Sequence, residues 1–173
     1  MAVTLDEIEN FIKNEGLKYD RKDDEIVLIS SDDESTYYHR IKLQENGNIF
    51  KWQMNPVDGD DALKIKDHKY QKEVLMHLLN LNYITKFGTW EYDPDDGETR
   101  LVVEIPLEDA KMTQKQFHRI SGYMFIDGDR YTDQILEILK TGKFKNSSDN
   151  DATIAKLEAM LAQLKNSSDS DGI

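Results

Sequence analysis

The chain contains no cysteine. A disulfide framework, a thiolate zinc site and a cysteine nucleophile are therefore excluded together. No apolar run approaches the ~20 residues that a membrane-spanning helix needs. Positive charge is scarce: 22 basic residues face 34 acidic ones, for a net charge of -12. A polyanion of this kind repels nucleic-acid backbones and anionic lipid heads, so neither nucleic acid nor membrane is an expected partner. The excess acid is read first as a solubility device and second as an attraction for basic partner segments. The opening residues MAVTLDEIEN lack a basic stretch followed by an apolar one. No secretory signal is expected there, and the expected location is cytoplasmic. The signatures of common chemistry are missing as well. The four histidines form no H-E-x-x-H pair, the serines form no G-x-S-x-G elbow, and there is neither a P-loop nor a dinucleotide-binding glycine pattern.

What is present is the material of one domain. A chain of 173 residues buries roughly 70% of its unfolded surface on folding, enough for a core without metal or disulfides. Thr4 and Glu7 have capping-box spacing, and Leu5, Ile8, Phe11 and Ile12 then share one side of a helix that Gly16 can end. Residues 17–20 are compatible with a short strand, and residues 25–30 (EIVLIS) predict another. Tyr37, His39, Ile41 and Leu43 alternate with polar residues. Asn46-Gly47 predicts a tight hairpin, and Phe50, Trp52 and Met54 alternate on the returning strand. Residues 55–61 (NPVDGDD) read as a loop, and Asp67 as the N-cap of a helix reaching about Asn82. That helix is apolar on two sides, through Tyr70, Val74, Leu78 and Leu81 and through Met76, Leu79 and Tyr83. The pattern predicts burial on both sides, with another helix or a second subunit over the outer one.

Residues 86–106 read as a second hairpin, with Trp90 and Tyr92 on one strand, Leu101, Val103 and Ile105 on the other, and Asp93-Pro94-Asp95-Asp96-Gly97 as its turn. Thr113 and Gln116 repeat the capping-box spacing before a long helix to about Thr141, with either a bend near Asp127-Gly128 or an extension across a dimer expected. A polar linker is expected at 146–151. An amphipathic helix follows at 152–165, carrying Ile154, Leu157, Met160, Leu161 and Leu164, and a disordered tail at 166–173.

The acidic loops invite a metal reading. Asp93, Asp95 and Gly97 approach calcium-loop spacing, but Gly97 is fifth where an EF-hand loop requires the sixth, and strands rather than helices flank it. Turn chemistry accounts for these residues. No catalytic residue, cofactor or metal site is assigned. The aromatic and apolar residues Tyr123, Phe125 and Ile126 on the long helix, with Leu157, Leu161 and Leu164 near the end, are the expected protein-binding residues.

One further pattern concerns order and spacing. Leu78–Tyr83 (LLNLNY), Gly88 before Trp90-Glu91-Tyr92-Asp93, the turn Asp95–Glu98, Leu107-Glu108 before Thr113, and Asp129-Arg130-Tyr131 together resemble the YbjN family of bacterial proteins. That family falls within the type III secretion chaperone-like fold. The resemblance implies an α+β domain over residues 1–145, an antiparallel sheet of about five strands in the order α-β-β-β-α-β-β-α, with the C-terminal helix as an addition. It also implies a sensory-transduction regulator without an established enzyme activity. The related chaperones imply a cytoplasmic homodimer that holds extended client segments. The expectation is thus a non-enzymatic protein-binding protein, chaperone-like or regulatory, with a client or regulatory protein as partner. The competing expectation is a small-molecule or divalent-metal-binding domain, a hydrolase included, built on the carboxylate loops.

Overall fold

A computed structural model describes residues 3–31, 35–58 and 61–144. The chain divides into two units, Met1–Gly142 and Lys143–Ile173, and the architecture below is that of the first. The linker at 146–151, the helix at 152–165 and the tail at 166–173 lie outside the described residues, as do Leu157, Leu161 and Leu164.

Helix α1 (Leu5–Asn14) starts as its sequence dictates: the Thr4 hydroxyl accepts from the Glu7 amide, and Glu7 accepts from the Thr4 amide. It ends in a Schellman arrangement, Gly16 N–H to the Lys13 carbonyl and Leu17 N–H to the Ile12 carbonyl, with Gly16 at φ +70°. The strands are β1 (Asp20–Arg21), β2 (Glu25–Ser31), β3 (Thr36–Gln44), β4 (Ile49–Asp58), β5 (Asp61–Ala62), β6 (Thr89–Tyr92) and β7 (Thr99–Pro106). All pairings are antiparallel. The order across the sheet is β1-β2-β3-β4-β7-β6, with β5 beside the far end of β4. Helices α2 (Gln71–Ile84), α3 (Gln114–Gly122) and α4 (Gly128–Thr141) complete the domain.

The α+β class and the order of the main elements are as expected, and the seven strands exceed the expected five by the two-residue β1 and β5. Three local expectations are corrected. Residues 55–58 are strand, not loop: β4 passes through Pro56, which pairs with Tyr37, while the Pro56 carbonyl accepts from Leu63 N–H. Proline is tolerated there because β4's pairing with β7 has already ended at Met54. The Asn46-Gly47 hairpin is not a two-residue turn. Gln44 pairs with Ile49 across a four-residue loop in which Glu45, Asn46 and Gly47 all have positive φ. Nor does Asp67 cap α2. Its φ is +62°, and the chain first turns through His68, whose Nδ1 accepts from Tyr70 N–H, before the helix begins at Gln71.

The register sorts side chains onto two sheet faces. On one lie Ile26, Leu28, His39, Ile41, Phe50, Trp52, Met54, Leu101 and Val103, all buried. The helices cover this face. Phe117 of α3 stacks on Trp52 with ring centroids 5.4 Å apart and meets Phe50 at 6.5 Å and Phe11 of α1 at 5.7 Å. Next to the site where a bend is expected, one π turn, Tyr123–Asp127, links α3 and α4 without a break. Immediately after it, Gly128 lies so close to the sheet that an added Cβ would sit 2.8 Å from Met54 Sδ and 3.3 Å from Leu101 Cδ2.

The other face carries Arg40, Lys42, Lys51, Gln53, Arg100 and Glu104. No helix covers it. Lys51 pairs with Glu104 at 2.5 Å, and Arg100 with Glu91 at 2.7 Å. At the sheet edge, Asn82 of α2 holds both polar groups of the Trp90 backbone, accepting from Trp90 N–H at 2.7 Å and donating to its carbonyl at 3.0 Å.

Candidate functional site

The acidic loops are occupied by their own turns. The Asp93 carboxylate accepts from Asp95 N–H, the Asp96 carboxylate accepts from Glu98 N–H and lies 3.3 Å from Lys64 Nζ, and Lys66 Nζ donates to the Asp95 carbonyl. The hydrogen bond from Glu98 and the nearby ammonium hold the Asp96 carboxyl below its ordinary pKa. At the other acidic pair, Asp127 pairs with Arg130, and Asp129 accepts from Tyr37 Oη. Among the described residues, no cluster of three acidic or histidine side chains is placed to hold a metal ion.

A serine–histidine contact that sequence inspection missed lies in the covered face. His39 and Ser30 lie on neighbouring strands and meet across the β2–β3 pairing, with Ser30 Oγ 2.8 Å from His39 Nε2. The other ring nitrogen, Nδ1, accepts from Trp52 Nε1–H at 3.3 Å. A neutral imidazole carries one proton, and Nδ1 is used as an acceptor, so the proton is on Nε2 and is donated to Ser30. Full burial of His39 pushes its pKa down to about 3 and keeps the ring neutral. In this tautomer His39 cannot take the serine's proton, and the pair is a polar clasp within the core rather than an activated nucleophile. The remaining histidines are similarly employed: His77 Nε2 meets Gln134 Oε1 at 3.0 Å, and His118 meets Glu15 at 2.7 Å.

The expected contact residues on the long helix have unequal fates. Tyr123 is buried, its ring 4.6 Å from that of Phe87, and burial raises its phenol to a pKa of about 12. Phe125 is half-buried, packed 4.7 Å from His39 and 5.7 Å from Trp52. Ile126 alone of the three faces solvent, at 71% exposure. The π turn accounts for the split between Tyr123 and Ile126, which at three-residue spacing would share a face of a regular α-helix and are separated by its wider turn.

Among the described residues, four of the seven exposed large hydrophobic side chains lie instead on α2. Val74, Leu78 and Leu81 face inward and are buried. Met76, Leu79 and Tyr83 recur at helical spacing on the outer side and are 60%, 63% and 88% exposed, with Ile84 at 58% after them. The sequence shows this stripe, and nothing in the described residues covers it.

Among the described residues, one concavity of about 160 Å³ is lined by Ser30, Tyr37, Met54, Met124, Phe125 and Asp129, and three more lie elsewhere. One of about 240 Å³ lies on the open sheet face, lined by Lys22, Val27, Tyr38, Arg40, Gln53, Asn55, Ala62 and Glu98. An apolar one of about 150 Å³ lies between α3, the end of β7 and Phe87. A third, of about 230 Å³, runs along the first turns of α3.

One antiparallel sheet, clad on a single face by a first helix, an edge helix and a long interrupted helix, defines a YbjN-like α+β fold. The comparison that supports this is with the crystal structure of YbjN from E. coli, described there as a proposed transcription regulator. It superposes with a TM-score of 0.55 at 15% identity, over 80% of this chain and 93% of that one. The likeness is one of fold. No family model matches the chain, and no curated protein matches it in sequence.

Proposed function

We propose that this chain is a non-enzymatic protein-binding protein, chaperone-like or regulatory in role, that works as a homodimer through the outer stripe of α2. The observation that carries the reading is the exposure of Met76, Leu79 and Tyr83 at one helical face. Contiguous apolar surface of this kind marks interaction sites in proteins that otherwise hide it. The description of YbjN as a regulator supports a binding role. The locked tautomer of His39 supports a role without covalent chemistry.

Magnitudes set the expected strength. Burying a large apolar side chain contributes about 1.5–3 kcal/mol. Four such residues from each copy, Ile84 included, contribute ~12–24 kcal/mol, which only modestly exceeds the ~4–15 kcal/mol lost on association. A reversible dimer in the micromolar range or weaker is expected, open to replacement of one copy by a client. Light scattering across a concentration series tests this. The expected result is a mass that rises towards twice the chain's 20.1 kDa, and a fall back to monomer for Leu79→Glu. A monomer at every concentration, with no client recovered by affinity purification, contradicts the reading.

A further inference from the structure

The apolar concavity beside α3 has a chemistry unlike the rest of the surface. Phe87, Ile105, Leu107, Met112 and Ile120 form its walls, and Gln116 and Arg119 its rim. The neighbouring concavity is lined by Thr113, Lys115, Gln116 and Arg119. The two therefore share Gln116 and Arg119, so an apolar slot opens directly beside a cationic one. Lys115 and Arg119 are exposed, and neither makes an ion pair among the described residues. Glu108 and Asp109, on the loop beyond Leu107, line neither concavity. On a chain of net charge -12, a slot whose only charged lining residues are cations favours an acidic occupant. Size narrows the choice further. About 150 Å³ matches a cavity that holds one benzene ring and is below the ~300 Å³ at which small-molecule sites begin.

We propose that this groove receives one large apolar side chain, aromatic or leucine-sized, from a partner peptide whose neighbouring residues are acidic, with Lys115 and Arg119 meeting their carboxylates. The proposal rests on the protein-binding reading above and adds the chemistry of the bound segment. The partner's apolar residue supplies the contact area, and its flanks supply selection against basic segments.

The test is a fluorescence anisotropy titration of the full chain with a labelled short peptide carrying one phenylalanine between pairs of aspartates. The same peptide with lysine flanks, or with alanine for phenylalanine, serves for comparison. The expected result is binding at least about tenfold tighter for the acidic peptide than for either control, a difference of ~1.4 kcal/mol. It should weaken as salt rises to about 0.5 M, where screening is strong. The double variant Lys115→Glu with Arg119→Glu, which breaks no ion pair, should reverse the order of the acidic and basic peptides. Equal binding of the two, or an acidic-peptide affinity untouched by the double variant, overturns the proposal. So does phenylacetate competing as tightly, per molecule, as the peptide, since the ligand is then a small carboxylate. The double variant leaves Met76, Leu79 and Tyr83 intact. A groove that fails while light scattering still reports the dimer therefore sinks this proposal alone.

Discussion

Two apolar surfaces of this domain are made of the same kinds of residue and have opposite fates. On the covered sheet face, Phe50, Trp52 and Met54 are fully buried under α3 and α4. Along the outer side of α2, Met76, Leu79 and Tyr83 are more than half exposed. The first surface is explained by the chain's own fold, because its residues find ring partners, a close-packed glycine and a histidine clasp. The second makes no such contacts among the described residues, and the proposed homodimer would cover it. The contrast separates the residues that hold the protein together from those free to serve a partner.

If that division is right, substitutions on the first surface should unfold the protein and substitutions on the second should not. The largest effect is expected at Trp52. Its replacement by alanine removes the contacts to Phe117, Phe125 and Phe50 and should cost about 3–5 kcal/mol in urea or thermal denaturation. Gly128→Ala comes next. The added methyl meets Met54 and Leu101, both fully buried and therefore unable to retreat to solvent, and a loss of about 1–3 kcal/mol is expected.

The third test uses pH. The unfolded chain protonates His39 near its ordinary value of 6.5, whereas the folded chain resists until about 3. Because the folded pKa is depressed, acidification favours the unfolded state. Stability contributed by the neutral ring is complete above 6.5 and falls as pH drops towards 3. About 1 kcal/mol should be lost by pH 5.5. This window lies above the ordinary carboxylate values near 4.5 of the lowered groups Glu7, Glu9 and Glu15. His77, whose pKa burial also lowers, acts with the same sign, so the His39→Gln variant is the comparison that isolates His39. Its denaturation midpoints should vary less between pH 7 and 5.5. The smallest effect on folding is expected at Leu79→Glu, within about 0.5 kcal/mol of the parent chain, although self-association is lost. A Leu79→Glu chain that unfolds would erase the distinction between the two surfaces.

Much of the fold was legible where one local rule decides the outcome. Thr4 with Glu7 and Thr113 with Gln116 are complete capping boxes in the structure, and the alternation of β3 and β4 correctly separated buried from open positions. Legibility failed where distant residues decide. The strand through Pro56 depends on β5 arriving beside it. The start of α2 depends on His68, not on the better N-cap residue Asp67. The Ser30–His39–Trp52 chain exists only after three strands align. For the contact residues, the sequence pattern marked Tyr123, Phe125 and Ile126 as equivalent. A π turn inside a helical pattern has no period of its own to detect, and it sent Tyr123 inward and Ile126 outward. The α2 stripe was legible as a second apolar side, but its exposure was not.

The Asn82 clasp on Trp90 carries one more consequence. The amide and carbonyl it occupies point away from β7 at the outermost strand, where an incoming chain would begin a new ladder. A side-chain amide offers one donor and one acceptor, as a backbone unit does, so α2 fills the first rung with its own group and extends no further. The sheet is thereby stoppered at that end against runaway stacking of copies. A strand arriving at this edge would first have to displace Asn82 from Trp90.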